Sequence, residues 1–239
     1  GTGPAGTGPV GSGPVGTGPV GTGPVGTGPG AIAPAGAAAI TAAYERLGAG
    51  AVAVRSSATV EDSPEASYAG QMTTELGVLG ADAVLAAVER CRRSADEDRA
   101  VAYRRARGSD GEPVRMGVVV QRMVDAAAAG VLFTADPVTG RRTTMLVDAA
   151  PGLGTAVVDG TAPADHYVRT EDGWSGSGTG CVPPATLTEL EEVGARLQEH
   201  FGCPQDIEWA IDGDGVLWLL QTRPVTTLFP APPPSDEPR

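Results

Sequence analysis

Residues 204–224, PQDIEWAIDGDGVLWLLQTRP, contain the pattern that decides the fold. Residues 206–211 alternate polar and apolar side chains, which is the period of a strand with one buried face. Residues 212–215 are Asp and Gly, which tolerate the positive φ angles of tight turns. Residues 216–221 predict a returning strand, whose pairing ends near Pro224 because proline has no N–H to donate. The stretch therefore predicts an antiparallel β-hairpin.

The predicted hairpin places three polar side chains close together. Glu208 and Gln221 come near each other across the strands, and Arg223 shares the face of Gln221 because it lies two residues away. Carboxylate and amide oxygens suit Mg²⁺, and a planar guanidinium suits phosphate oxygens. The cluster therefore fits a polyphosphate with Mg²⁺, and the alternative is a surface hairpin with a polar cross-strand cluster.

The composition limits the classes of function. The chain has 239 residues, which is enough for one or two domains with a core. A net charge of −12 argues against nonspecific nucleic-acid binding.

All 17 basic residues are Arg, so the Lys that is common in nucleotide sites is absent. The three Cys lack metal-ligand spacing and are expected to be free thiols. No apolar run matches a membrane span and no signal-peptide pattern is present, so we expect a cytoplasmic protein without membrane partners.

The two ends of the chain differ in composition from the middle. Residues 1–30 are six copies of a five-residue unit of the GTGPV type, without charge and with little apolar bulk. Such a segment buries too little surface to offset its chain entropy, so we expect a disordered repeat tail over 1–36. Residues 230–239 predict a Pro-rich acidic tail. One folded domain is expected between them, over 37–229.

Hydrophobic periodicity in this domain predicts both helices and strands. Helices are expected over 37–47, 81–107 with a break near 94–98, 156–158 and 187–201. Strands are expected over 51–55, 71–78, 116–124, 130–135, 144–149 and 165–169, with polar loops over 56–70 and 171–180. Together with the hairpin, this pattern predicts an α+β domain with an antiparallel sheet.

Three residues outside the hairpin are further candidates for binding. Arg55 ends a predicted strand and precedes two Ser residues, an arrangement that can hold an anion; a capping Ser pair is the alternative. Gly70 permits close approach of the backbone to a ligand, although an ordinary loop Gly fits equally well. Gln121 ends an apolar strand and could face an adenine or lie on a sheet edge. His166 and His200 have no convincing catalytic neighbour and are predicted to be structural.

Seven motifs occur in an order that is typical of one family. They are RSSATVED at 55–62, SYAGQ at 67–71, QRMV at 121–124, GVLFTADPVTG at 130–140, GLG at 152–154, DIEW at 206–209 and QTRP at 221–224. On these motifs, the segment from about 37 to 228 resembles the ATP-binding domain of phosphoenolpyruvate synthase, pyruvate phosphate dikinase and rifampicin phosphotransferase. The resemblance implies an ATP-grasp fold with ATP and Mg²⁺ as ligands.

The resemblance also implies a role for each matching residue. Arg55 and Arg223 resemble the two phosphate-binding arginines of the family, which stabilise the charge on the transferring phosphoryl group. Glu208 and Gln221 resemble its Mg²⁺ ligands. The remaining matches are Gly70 and Thr74 on the loop that closes over the phosphates, and Gln121 at the adenine pocket.

The sequence departs from the family pattern in several places. The family's domain begins with a GGKG-like segment whose Lys contacts the nucleotide, and the repeats stand in that place here, so part of the N-terminal subdomain is expected to be missing. Thr155 replaces a Glu that is common after GLG. We expect phosphoryl transfer to require a His domain or acceptor protein in trans. The alternative is a degenerate, non-catalytic ATP-grasp module or a gene fragment that serves as an interaction domain.

Overall fold

A computed structural model describes residues 32–58, 74–105, 116–154, 163–225 and 227–228, and of residues 58, 94–105 and 116 the backbone alone. Of the predicted repeat tail over 1–36, residues 1–31 lie outside these residues, as do the Pro-rich acidic tail and the predicted helix at 156–158. These parts of the predictions stay predictions, whereas residues 34–36 are not part of a disordered tail because they form the start of a helix.

The described part of the chain contains three helices and nine strands. The helices are α1 (Pro34–Arg46), α2 (Ala81–Arg105) and α3 (Pro184–Phe201). The strands are β1 (Val52–Ala58), β2 (Thr74–Val78), β3 (Met116–Arg122), β4 (Ala126–Phe133), β5 (Met145–Pro151), β6 (Asp165–Thr170), β7 (Gly173–Ser177), β8 (Gln205–Asp212) and β9 (Leu217–Pro224). All strand pairs are antiparallel. The predicted α+β class with an antiparallel sheet is therefore confirmed.

The smaller sheet has the order β2-β1-β3 and is covered by α1 and α2 on one face. Val52 and Val54 of β1 are fully buried against the helices. Arg55 follows Val54 and therefore lies on the opposite face, because side chains alternate along a strand. The face of this sheet opposite α1 and α2 thus presents Arg55 to the rest of the molecule.

The larger sheet has the order β7-β6-β5-β4-β8-β9, with α3 packed on one face. Ile207, Trp209 and Ile211 of β8 point into the core with Leu187 and Leu190 of α3. Their neighbours Asp206 and Glu208 therefore lie on the other face. Gly194 of α3 permits this close packing, since a Cβ there would lie 2.9 Å from Leu132.

Several element boundaries differ from the predictions. Helix α2 is continuous, because residues 94–98 include no Pro or Gly, which are the residues that most disfavour a helix interior. Strand β1 continues over Ser56 and Ser57, which pair with β3. The Gly- and Ser-rich segment predicted as a loop contains β7, which pairs with the edge of β6; Gly176 fits there because a Cβ would touch the Tyr167 ring.

None of the helices that the structure describes is long and apolar enough to cross a membrane. The cytoplasmic localisation expected from the sequence stays a prediction.

Candidate functional site

The register of the β8–β9 hairpin brings the predicted polar residues together. Glu208 pairs with Gln221, and Asp206 pairs with Arg223. Directly paired side chains lie on one face about 5 Å apart, so all four project from the face opposite α3. The predicted proximity of Glu208, Gln221 and Arg223 is confirmed.

A β-bulge interrupts this hairpin beside the polar cluster. The pairing shifts between Glu208 with Gln221 and Trp209 with Leu219, which leaves Leu220 as the extra residue on β9. A bulge redirects the local backbone groups. The carbonyl oxygen of Leu220 accepts hydrogen bonds from Arg55 Nη2 at 3.0 Å and from Gln121 Nε2 at 3.3 Å. The bulge therefore connects the hairpin to two side chains of the smaller sheet.

Arg55 spans the two sheets. Its Nη1 donates to Gln221 Oε1 at 2.6 Å and lies 3.8 Å from Glu208 Oε2. Arg55 and Gln121 share a face of the smaller sheet, because Arg55 pairs with Val119, which lies two residues before Gln121. The structure thus places Arg55, Gln121, Glu208 and Gln221 around one point, although the chain distance between Arg55 and Gln221 is 166 residues.

Arg223 has a separate carboxylate partner. Its Nε donates to Asp206 Oδ2 at 2.8 Å, and Asp206 is only 9% exposed. Asp206 Oδ1 is buried without a hydrogen-bond partner in the described part of the chain. Sequence reasoning missed Asp206 as a site residue, although its position two residues before Glu208 was a usable signal. The pair fixes the Arg223 guanidinium on the same face as Glu208 and Gln221.

The two residues predicted from the phosphate-covering loop have different outcomes. Thr74 is the exposed first residue of β2 and pairs with Arg55, so it borders the site. Gly70 lies outside the described residues. Their role in covering a phosphate stays a prediction.

The donor chemistry of the hairpin fits a magnesium ion. An amide oxygen of Gln221 and a carboxylate oxygen of Glu208 lie 2.6 and 3.8 Å from the same Arg55 nitrogen, and hard oxygen donors are what Mg²⁺ prefers. Mg²⁺ commonly uses one or two protein ligands and completes its octahedron with phosphate and water oxygens. Among the described residues no three His, Cys, Asp or Glu side chains form a metal-binding group, so an all-protein cage is not present there. The two hairpin oxygens therefore suit a metal that arrives with phosphate.

A cavity of about 370 Å³ lies beyond the turn end of the hairpin. It is lined by Arg122, Met123 and Val124 of the QRMV motif, by Trp218 of β9, and by Asp125, Asp212, Gly213 and Asp214. The guanidinium of Arg122 lies 5.2 Å from the centroid of the Trp218 ring, within cation–π range. Trp218 Nε1 donates to Asp212 Oδ2 at 2.7 Å, and this hydrogen bond lowers the pKa of Asp212. The cavity therefore contains an aromatic ring with the Arg122 guanidinium over it.

The histidine at position 166 has an acidic neighbour that the sequence did not reveal. His166 Nδ1 lies 2.6 Å from Asp148 Oδ1, with both side chains partly exposed. Asp148 pairs with Val131, which in turn pairs with Glu208, so all three positions lie in one row across the sheet. One strand, β4, separates Asp148 from Glu208, so the His166–Asp148 pair borders the site without reaching it.

A second acidic residue, Asp165, has a structural role next to this region. Its carboxylate is buried and accepts hydrogen bonds from the backbone N–H of Thr179 and Cys181 and from the Tyr167 hydroxyl. Burial raises the pKa of Asp165, but these hydrogen bonds outweigh it and hold the pKa well below its usual range. Asp165 thereby anchors the segment that leads into α3.

Most of the chain is similar in sequence to known proteins. The family described as "Pyruvate phosphate dikinase, AMP/ATP-binding domain" matches residues 31–180 and 175–235. A rifampicin phosphotransferase from Streptomyces sp. is 46% identical over 229 residues, covering 84% of this chain and 26% of the relative. A probable phosphoenolpyruvate synthase from Pyrococcus abyssi is 42% identical over 213 residues, covering 74% of this chain and 26% of the relative. The chain spans about a quarter of the length of these curated relatives.

Proposed function

Because the chain belongs to the family of pyruvate phosphate dikinase AMP/ATP-binding domains, we propose that it binds ATP with Mg²⁺ at the face of the hairpin described above. The observation that carries the proposal is the contact between Arg55 of the smaller sheet and Gln221 of the larger one. This contact joins a cation and two candidate metal ligands at one point between the sheets. We call Arg55, Glu208, Gln221 and Arg223 the phosphate site.

The two arginines of the phosphate site would bind the phosphate chain. Arg223 is oriented by Asp206, so its outer nitrogens are held in a defined direction for phosphate oxygens. Arg55 is bound mainly by neutral oxygens and can exchange them for charged ones. Charge-assisted, bidentate hydrogen bonds of this kind suit a triphosphate better than any neutral ligand.

Glu208 and Gln221 would hold Mg²⁺ in this proposal. The ion would neutralise charge on the phosphoryl group when bound. Glu208 contributes the negative charge and Gln221 a neutral oxygen, so the pair favours a metal that already carries phosphate ligands. Asp206 adds a second carboxylate on the same face, with one buried oxygen that has no partner in the described structure.

The adenine would lie toward the turn end of the hairpin. Gln121 and the cavity beside Met123, Val124 and Trp218 are the supporting features. The aromatic ring can stack against a base, and the backbone after Gln121 can supply hydrogen bonds to its edge. Trp218 and Gln221 are three residues apart on β9, with the Leu220 bulge between them.

We further propose that the bound nucleotide supplies a phosphoryl group to a His domain, located elsewhere in a longer protein or on a separate acceptor protein. The support is the relationship to proteins named rifampicin phosphotransferase and phosphoenolpyruvate synthase, of which this chain matches about a quarter. The final acceptor is a hydroxyl compound or pyruvate in this proposal. In the chain itself, Arg55 and Arg223 would stabilise the charge that develops on the transferred group.

A second candidate is a non-catalytic ATP-grasp module that serves in protein interaction. The specific observation in its favour is that all 17 basic residues of this sequence are Arg, whereas the resemblance to the family implies a Lys at the nucleotide site. Accumulation of AMP or ADP with an acceptor His domain supports the phosphotransferase. Nucleotide binding without any turnover, together with a partner that co-purifies, supports the interaction module.

Isothermal titration of the full chain with ATP and Mg²⁺ tests the binding proposal. Saturable binding is expected, and it should be lost in the double variant Glu208→Ala, Arg223→Ala. The matched control removes the Glu191–Arg169 ion pair of the same domain, which lies away from the hairpin face. Equal binding by the wild type and the hairpin double variant, or no binding by the wild type, contradicts the proposal.

A further inference from the structure

The guanidinium of Arg55 is close to the two side-chain oxygens, one of Gln221 and one of Glu208, that suit a metal ion. Nη1 donates to Gln221 Oε1 at 2.6 Å and is 3.8 Å from Glu208 Oε2. Nη2 donates to the Leu220 carbonyl at 3.0 Å. Arg55 therefore acts as a cation toward the same donor set that the proposed function assigns to Mg²⁺.

Simultaneous binding of a guanidinium and a divalent cation to these oxygens is energetically unfavourable. Both are positively charged, and Arg55 and Glu208 side chains are only 20% and 32% exposed, so solvent screens their interaction weakly. Mg²⁺ also demands close, octahedral oxygen contacts that a hydrogen bond to Gln221 Oε1 disturbs. Metal binding at Glu208 and Gln221 thus favours movement of Arg55 away from them.

Arg55 is held in a way that permits this movement. Its two short hydrogen bonds go to neutral oxygens, and the carboxylate of Glu208 lies beyond hydrogen-bond distance from Nη1. Arg223, in contrast, has a charged hydrogen bond to buried Asp206. Phosphate oxygens form stronger hydrogen bonds with a guanidinium than neutral carbonyls do. Of the two arginines, Arg55 is therefore the one that changes partners.

We propose that Arg55 and the metal ion compete for Glu208 and Gln221, and that a polyphosphate relieves the competition by giving Arg55 a new partner. The proposal rests on the proposed function of the phosphate site. Its consequence is positive coupling: nucleotide strengthens metal binding, and metal strengthens nucleotide binding by the same factor. The metal alone binds weakly, so the site selects the metal–nucleotide complex over free metal.

Mn²⁺ titration in the absence of nucleotide, followed by electron paramagnetic resonance, tests the competition. Arg55→Ala and Arg55→Gln remove the competing charge and are expected to bind Mn²⁺ about tenfold more tightly than the wild type. Arg55→Lys keeps the charge and is expected to bind it as weakly as the wild type. Arg169→Ala is the matched control, because Arg169 also has a carboxylate neighbour and a similar exposure but lies away from the hairpin face.

A second titration with ATP distinguishes a failure of this proposal from a failure of the proposed function. Wild-type affinity for ATP is expected to rise at least fivefold when Mg²⁺ is added, and this gain should shrink in Arg55→Ala. Circular dichroism checks the fold of each variant, and Arg55→Gln serves if Arg55→Ala does not fold. The proposal is overturned if neither neutral variant binds Mn²⁺ more tightly than the wild type. Absence of ATP binding to the wild type instead contradicts the proposed function, while the Mn²⁺ comparison still decides the competition.

Discussion

Asp206 and Arg223 face each other across the β8–β9 hairpin, and Arg223 Nε donates to Asp206 Oδ2 at 2.8 Å. Asp206 is nearly buried, so this charged hydrogen bond holds Arg223 beside Glu208 and Gln221. The relationship gives Asp206 a positioning role in the phosphate site.

Replacing Asp206 tests that positioning role. Asp206→Asn keeps the size of the side chain but removes the charge that orients Arg223. We expect ATP affinity to fall about tenfold, which corresponds to about 1.4 kcal/mol. Arg223→Ala should cause a similar loss, and the double variant should be no worse than Arg223→Ala, because both changes remove the same interaction.

The control for this cycle is Asp148→Asn. Asp148 lies on the same face of the sheet but is paired with His166, two strands away from Glu208. Calorimetric titration should give near wild-type affinity for it. Additive losses in the Asp206 and Arg223 double variant would show that the two residues act independently.

The cavity beside Trp218 gives a prediction about the base. Arg122→Ala removes the cation over the Trp218 ring, and we expect ATP affinity to fall about fivefold. Affinity for tripolyphosphate, which has no base, should stay unchanged. Arg141→Ala in the exposed turn after β4 is the control. Equal losses of affinity for ATP and tripolyphosphate in Arg122→Ala would show that the base binds elsewhere.

Gly130 provides a prediction about the stability of the sheet under the site. A Cβ at this position would clash with the Asp148 carbonyl oxygen and lie 2.9 Å from Ala149 Cα, and both neighbours are backbone atoms that cannot easily shift. We expect Gly130→Ala to lower the free energy of unfolding by about 3 kcal/mol. For a domain of this size that corresponds to a fall in Tm of about 10 °C.

The turn glycine Gly213 is the matched control for this substitution. A Cβ at Gly213 meets no heavy atom within 4 Å. Thermal unfolding of Gly213→Ala should therefore lie within about 2 °C of the wild type, since an isolated surface change rarely exceeds about 0.5 kcal/mol. Equal Tm values for the two variants would disprove the close strand approach at Gly130.

The buried, hydrogen-bonded carboxylate of Asp165 is expected to make the stability of the fold depend on pH. Its pKa in the folded state lies below the usual value of about 3.9, so the charged form stabilises the fold. This contribution is fully present above pH 4 to 5 and is lost as the pH falls through the folded-state pKa. The difference in unfolding free energy between the wild type and Asp165→Asn should therefore be large at pH 7 and shrink toward pH 2.

Denaturant unfolding at several pH values measures this difference. Asp172→Asn, in the exposed turn between β6 and β7, is the control, and it should change the unfolding free energy by no more than about 0.5 kcal/mol. A difference for Asp165→Asn that stays constant from pH 7 to pH 2 would contradict the assigned role of its hydrogen bonds.

The hairpin could be predicted from local sequence signals. The two-residue period of β8 and the Asp and Gly turn fix which side chains share a face, and the register then places Glu208 opposite Gln221. The same reasoning should have included Asp206, which shares that face. The Leu220 bulge was not predictable, because side-chain alternation does not indicate where an extra residue enters a strand.

Residue patterns alone could not predict the long-range contacts of the site. Arg55 meets Gln221 because two separate sheets approach each other, and no local period encodes that approach. Only the resemblance of ordered motifs to a known family indicated that both residues belong to one site. The missed strand β7 has a similar cause, since its Gly and Ser residues become a strand by pairing with β6 rather than by propensity.

A crystal structure of the full chain with Mg²⁺ and a non-hydrolysable ATP analogue tests the central claim most directly. The account predicts terminal phosphate oxygens within hydrogen-bond distance of Arg55 and Arg223, and a metal ion bound to Glu208 and Gln221. It also predicts the base in the cavity beside Trp218. A nucleotide bound away from the hairpin, or phosphates that touch neither arginine, would contradict the account.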